Sequence, residues 1–130
     1  MIFIDSSVFI AYANTKDFHH EKAVEIFGNA AEGIYGKALF SDYIFAEVVT
    51  VMLLKTGFIH TEKFGKYLLS SEFELLRVDK KAFERTWEIF RRIKTMSFTD
   101  CSSLALMEFL EIRKIATFDK GFSGKAEVIG

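Results

Sequence analysis

Four carboxylates in this chain sit against apolar sequence, where a charge is hard to keep, and their placement constrains the fold more than any other feature. Asp5 ends the run Met-Ile-Phe-Ile, and Asp119 ends Ile115-Ala-Thr-Phe118. Asp100 opens the helix-like stretch Cys101 to Arg113, and Glu47 interrupts Tyr43 to Leu54, in which nothing else is charged. A bare buried charge is strongly disfavoured, so acids placed this way must be paired, hydrogen-bonded or bound to a cation. No Lys or Arg lies in the immediate context of Asp5, Glu47 or Asp100. A divalent cation is the natural counter-charge.

Around these acids, short apolar runs alternate with helical spacing. Ile2 to Ile4 reads as a buried strand that enters a helix at Ser6 to Asn14. Asp17 to Ala31 carries a helical stripe of Phe18, Ala23, Ile26, Phe27 and Ala30. Gly33 and Gly36 bracket a turn before a strand at Lys37 to Phe40. Ser41 or Asp42 then caps a helix that runs to about Lys55 and stops at Gly57. A short helix is expected from Thr61 through Leu69, and a strand from Phe73 to Val78. Asp79 caps a helix carrying Phe83, Trp87 and Phe90. Thr99 precedes the helix through Arg113, Ile115 to Phe118 is a strand, and Glu127 to Ile129 is a last one. This alternation predicts a parallel sheet covered by helices on both faces, built as one domain over residues 1–130.

Several classes fall away on simple grounds. No apolar run is long enough for a membrane span, and the N-terminus lacks the pattern of a secretory signal. The one cysteine, Cys101, cannot form an internal disulfide, so a soluble, cytoplasmic protein is expected. A net charge of −1 is not that of a basic nucleic-acid coat, so such contacts need a local patch. Lys80, Lys81, Arg85, Arg91, Arg92 and Lys94 make one helix basic and offer the best such patch for phosphates. His19 and His20 are adjacent and cannot share a helix face, Cys101 sits in a helix interior, and no Gly-rich phosphate loop is present.

In open parallel sheets, ligands bind beyond the carboxyl ends of the strands. Asp5 and Asp119 both fall there, and Asp100 at a helix N-terminus faces the same edge. Glu47 lies about two turns into its helix, on a face with Tyr43, Thr50, Val51 and Leu54 that is expected to point inward. Each acid alone has a plain alternative. Asp5 and Asp100 can cap helices, Asp119 can serve a turn, and Glu47 can pair with Lys37 or Lys55. Four together favour a shared site.

These segments resemble the PIN-domain ribonucleases and, within them, the small VapC-like toxins. The resemblance is carried by Ile4-Asp-Ser-Ser-Val-Phe-Ile-Ala11, His20-Glu-Lys-Ala23, Ser41 to Leu54 around Glu47, Phe98-Thr-Asp-Cys-Ser102 and Ala116-Thr-Phe-Asp119. It covers essentially the whole chain and rests on the order and spacing of the segments together. It implies a three-layer α/β/α sandwich and Mg²⁺- or Mn²⁺-dependent cleavage of RNA. Asp5, Glu47, Asp100 and Asp119 fall on the family's acidic positions, and Ser6, Thr99 and Thr117 on its hydroxyl positions. A toxin of this kind implies an antitoxin partner. The apolar excess over residues 40–73 suits either a homodimer surface or a groove for an antitoxin helix.

The chemistry agrees. Hydrolysing a phosphodiester requires a nucleophile made from water and relief of charge on the transition state, and Mg²⁺ or Mn²⁺ supplies both from an all-oxygen site. Zinc would prefer His and Cys. Asp5 and Asp100 are the primary metal ligands in this reading. Glu47 and Asp119 bind through water, hold a second ion or orient the attacking water, and Ser6, Thr99 and Thr117 contact carboxylates or phosphate. A haloacid-dehalogenase-type phosphatase would want Asp where Ser7 stands. A non-toxin RNA-processing nuclease and a catalytically silent RNA- or protein-binding relative are the remaining alternatives.

Overall fold

In the computed structural model, which describes residues 1–130, five short strands alternate with six helices. The order is β1 (Ile2–Ile4), α1 (Ser6–Ala13), α2 (His20–Ala31), β2 (Ala38–Ser41), α3 (Asp42–Thr56), α4 (Phe58–Ser70), β3 (Glu74–Leu76), α5 (Lys80–Ile93), α6 (Phe98–Leu110), β4 (Lys114–Ala116) and β5 (Glu127–Ile129). A single 3₁₀ turn at Lys120–Phe122 lies between the last two strands. The strands form one sheet in the order β3-β2-β1-β4-β5, and every pairing is parallel. In the centre, Ile2 pairs with Ala38 on one side and Lys114 on the other.

The chain moves from β1 outward to β2 and β3, then returns to β4 on the other side of β1. Parallel crossovers are right-handed, so this reversal sends the helices after β3 to the opposite face. The packing agrees: α1 lies on α2 and α3, α3 on α4, and α5 on α6. The result is the expected three-layer α/β/α sandwich. Central strands covered on both faces read as unbroken apolar runs. Ile2, Phe3, Ile4, Ile115 and Ala116 are accordingly buried almost completely. Phe9 of α1 meets Phe27, Phe40 and Phe73 at ring-centroid distances of 6.2, 5.5 and 6.3 Å, joining α1, α2, β2 and the approach to β3 in one core.

Several boundaries differ from those expected, for local reasons. Helix α2 begins at His20 rather than Asp17, because the side chains before it close a loop instead. Asn14 Oδ1 accepts from the Lys16 N–H and Asp17 Oδ1 from the His19 N–H, the latter at 2.8 Å. Phe18 therefore leaves the α2 stripe and is 95% exposed. Helix α4 begins at Phe58 rather than Thr61, since Gly57, at φ +82°, ends α3 and starts the next helix in one residue. Helix α6 starts at Phe98 under a cap from Ser97 and ends at Leu110, where Glu111 turns left-handed. Strand β3 is shorter than Phe73 to Val78. Strand β4 stops at Ala116, so Thr117 to Asp119 run out past the sheet.

The buried face of α3 also differs. Ile44, Val48 and Met52 point into the core, while Tyr43, Glu47 and Val51 are half-buried and Thr50 and Leu54 exposed. Glu47 thus stands at the rim of the sheet edge and not in the interior. Neither Lys37 nor Lys55 pairs with it, and Lys37 bonds Glu74 instead at 3.1 Å.

Candidate active site

The hydrogen-bond network begins at Asp5, one residue beyond β1. Its backbone N–H donates to the Ala116 carbonyl at 2.9 Å, tying it to the end of β4. It occupies the residue before α1 but its carboxylate does not cap that helix. Instead, Oδ2 accepts from Thr117 Oγ1 at 2.7 Å and from Ser7 Oγ at 2.8 Å. The residue is only 3% exposed, and its other oxygen, Oδ1, is buried with no partner. Desolvation pushes the Asp5 carboxyl above its usual range, and the charge of Glu47 adds to this. The Thr117, Ser7 and Ser6 hydrogen bonds act the other way. A buried carboxylate held by one oxygen and open at the other calls for a positive partner.

The two donors to Asp5 are themselves fixed. Ser7 Oγ accepts from the Phe118 N–H at 3.1 Å, and Thr117 Oγ1 accepts from the Asp119 N–H at 3.0 Å. The end of β1 and the run after β4 are therefore cross-linked by two hydroxyls. Ser7 was not among the expected site residues. Its position two after Asp5, where a hydroxyl can reach back to the preceding carboxylate, is the one trace of this role in the sequence, and it reads equally as an ordinary helix start.

The other acids gather at the same edge. Ser6 Oγ–H donates to Glu47 Oε1, joining the start of α1 to α3. Asp100 lies in the first turn of α6, with its N–H on Ser97 Oγ at 3.0 Å. Its carboxyl is pushed up to about 7, first by desolvation and then by the charges of Asp5, Asp119 and Glu47. The four acids thus feel one another as a group. Asp119 is the most exposed of them, and its Oδ1 accepts from the Gly121 N–H at 2.8 Å, so it also holds the 3₁₀ turn. Asp119 thus serves as the turn acid while lying close enough to Asp100 to act on its carboxyl.

Of the three expected hydroxyls, Thr117 and Ser6 bond site carboxylates, whereas Thr99 does not. Thr99 instead uses its carbonyl to accept from Ser102 and Ser103. It lines, with Tyr43, Glu47, Thr50 and Val51, a shallow groove of about 320 Å³ beside the acids. Cys101 is buried, and desolvation followed by the charge of Asp100 pushes its thiol up, away from nucleophilic use. His20 Nδ1–H donates to the Ala11 carbonyl at 2.8 Å, a link between α1 and α2. Arg85 of the basic helix is occupied by Glu108 and Glu88. The largest cavity, about 530 Å³ between α5, α6 and the start of β5, contains none of the four acids.

No three of the carboxylates close on a single point as a complete ligand set. Mg²⁺ and Mn²⁺ do not ask for one, since they take one or two carboxylates and keep several waters. An open edge with the unpartnered Asp5 Oδ1, an Asp100 carboxyl pushed up by burial and neighbouring acids, and only oxygen donors fits those ions and does not fit zinc.

Comparison with known proteins agrees. The PIN domain sequence profile matches residues 2–128. A VapC ribonuclease from Archaeoglobus fulgidus is 30% identical over 124 residues, covering 92% of this chain and 78% of that protein. Mycobacterium tuberculosis VapC20, described as a sarcin-ricin loop cleaving toxin, matches in structure with a TM-score of 0.88 at 24% identity over the full length of both chains. A toxin–antitoxin complex from Klebsiella pneumoniae matches at 0.71 and 18% identity, over 100% of this chain and 97% of that one. At such identities the solved structures speak to the fold, and the sequence matches to the lineage. With both in agreement from one end of the sheet to the other, the chain belongs to the PIN-domain family, among its VapC-like members.

Proposed function

We propose that this chain is a Mg²⁺- or Mn²⁺-dependent endoribonuclease and the toxin of a toxin–antitoxin pair. The observation that carries the reading is Asp5: buried, anchored through Oδ2 by Thr117 and Ser7, and unpartnered at Oδ1 beside a second carboxyl, Asp100, that burial and then its acidic neighbours make hard to ionise. Asp5 and Asp100 hold the metal. When bound, the ion neutralises phosphate charge and lowers the pKa of water at the site. Ser6 fixes Glu47 Oε1, leaving Oε2 to accept a proton from the attacking water. Asp119, exposed and turned toward the same edge, orients that water or holds a second ion. Thr99 lies in the groove beside Glu47, where its free hydroxyl can meet a substrate phosphate.

The partner reading rests on relatives and on surface. Solved structures of like fold include a toxin–antitoxin complex. Leu54, Phe58 and Ile59, at the α3–α4 corner, are exposed by 83, 63 and 81%, and suit an antitoxin helix or a homodimer contact. No helix is long and apolar enough to cross a membrane.

The test is incubation of the purified protein with assorted RNAs, including a sarcin-ricin hairpin, in Mn²⁺ and in excess EDTA. Cleavage confined to the Mn²⁺ arm and absent from Asp100→Asn is expected. Undiminished cleavage in EDTA overturns the mechanism, and no cleavage of any RNA overturns the activity.

A further inference from the structure

Beside the acidic edge stands a ladder of aromatic rings that the chemistry above does not use. Phe118 lies between Thr117, which bonds Asp5, and Asp119. Its ring stacks on His19, with centroids 4.3 Å apart and planes 7° from parallel. Phe18 stands edge-on to His19 at 5.0 Å and 89°. At 95% exposure it offers both ring faces to solvent, more than any other large apolar side chain here.

The position is built. The 14–19 loop is closed by Asn14 and Asp17 side chains, and the Asp17 N–H bonds the Asn14 carbonyl at 3.0 Å. On the other side, the Phe118 N–H is held by Ser7, which also holds Asp5. A continuous chain of contacts thus runs from the Asp5 carboxylate to the Phe18 ring. Two exposed cations border it, Lys16 within the loop and Lys120 directly after Asp119. An exposed ring beside phosphate-binding charges is the form of a single-strand stacking platform. Bases stack on aromatic side chains while neighbouring cations follow the backbone.

We propose that Phe18, supported by His19 and Phe118, is a stacking subsite for an unpaired nucleobase next to the scissile phosphate. The inference rests on the ribonuclease reading and deepens it: the substrate presents a looped-out or single-stranded nucleotide at the cleavage site. It also explains why a residue at core spacing in the sequence is held out in water.

The experiment compares Phe18→Ala, Phe18→Leu and Phe18→Trp with the wild type, on single-stranded and hairpin RNAs in Mn²⁺. Phe18→Ala and Phe18→Leu are expected to raise KM about tenfold with little change in kcat, within the range of one base–aromatic stack. Phe18→Trp retains the wild-type KM. In an abasic scan across the cleavage site, one position should drop wild type to the level of Phe18→Ala and leave Phe18→Ala unchanged. A second arm needs no cleavage: with Trp87, the one native tryptophan, replaced by Phe, the fluorescence of Phe18→Trp is followed as RNA is added in EDTA, and quenching is expected. If wild type cleaves no RNA, the ribonuclease reading fails and the quenching arm still decides the platform. If wild type cleaves while Phe18→Ala keeps its KM, the platform alone fails. Wild-type KM in Phe18→Leu means that no aromatic face is used and also overturns it.

Discussion

Replacing Asp100 with Asn should stabilise the metal-free protein at pH 8, although it removes a first-turn acid from a helix. The Asp100 carboxyl is raised from 3.8 to about 7, a gap worth ~4 kcal/mol between its charged and neutral forms if fully expressed. A folded value above the unfolded one means that stability is fully present below the unfolded value and lost as pH rises through the folded one. At pH 8 the wild type has lost it. Because Asp100 is only half-buried, solvent screening reduces the effect to roughly 2 kcal/mol. The helix dipole at the start of α6 favours the charge by ~0.3–1 kcal/mol, which Asn forgoes. The net gain for Asp100→Asn is about 1 kcal/mol, or roughly 3–5 °C in Tm for a chain of this size. Thermal unfolding in EDTA at pH 8 and pH 5 reads it, since at pH 5 the folded wild type has taken up the proton, part of the lost stability has returned and the advantage shrinks. Excess Mn²⁺ should reverse the order by binding the folded wild type more tightly. A variant that melts well below wild type at pH 8 in EDTA would make Asp100 a structural cap, and the acid-cluster reasoning would be wrong.

Three further outcomes are expected. Asp5→Asn should lower Mn²⁺-dependent RNA cleavage by more than ~100-fold with an unchanged circular-dichroism spectrum, since an amide carries no charge to a hard cation; cleavage near the wild-type rate refutes its role. Thr117→Val removes a donor to Asp5 Oδ2 and the acceptor of the Asp119 N–H. It should weaken Mn²⁺ binding about 10- to 100-fold, read as a loss of metal-induced Tm shift, and cost ~1–2 kcal/mol in urea unfolding. Phe9→Ala empties the junction with Phe27, Phe40 and Phe73 and should cost about 3–5 kcal/mol by the same unfolding assay, whereas a loss under 1 kcal/mol would mean that the core collapses around it.

The elements themselves were legible because their signals are local. The short runs Ile2 to Ile4 and Ile115 to Phe118, each next to a helix, announce β1 and β4, and Asp79 and Ser41 both cap the helices that follow them. What escaped were features decided by competition between neighbours. Helical spacing cannot register that Asp17 gives its side chain to the His19 N–H, so Phe18 was counted with a face it does not join. On α3, the run is apolar nearly all round, and periodicity cannot distinguish Ile44-Val48-Met52 from Tyr43-Glu47-Val51 as the inward stripe. At the site, the acids were visible as charges out of place. Ser7 was hidden because a hydroxyl two residues after an aspartate looks like ordinary helix-start sequence until Thr117 is seen to bond the same oxygen.

The strand order has a consequence for synthesis. Because β4 inserts beside β1, the middle of the sheet joins residues more than a hundred positions apart, and it stays open on one side until residues 114–116 have been made. A nascent chain can build β1, β2 and β3 with their helices, but Asp5 then lacks Thr117, and Asp119 is absent altogether. Pairings this distant in sequence form slowly and late. The acidic edge therefore cannot close until residues 114–119 have been made, and a partly made chain exposes the flank of β1 as an unpaired strand edge in its place.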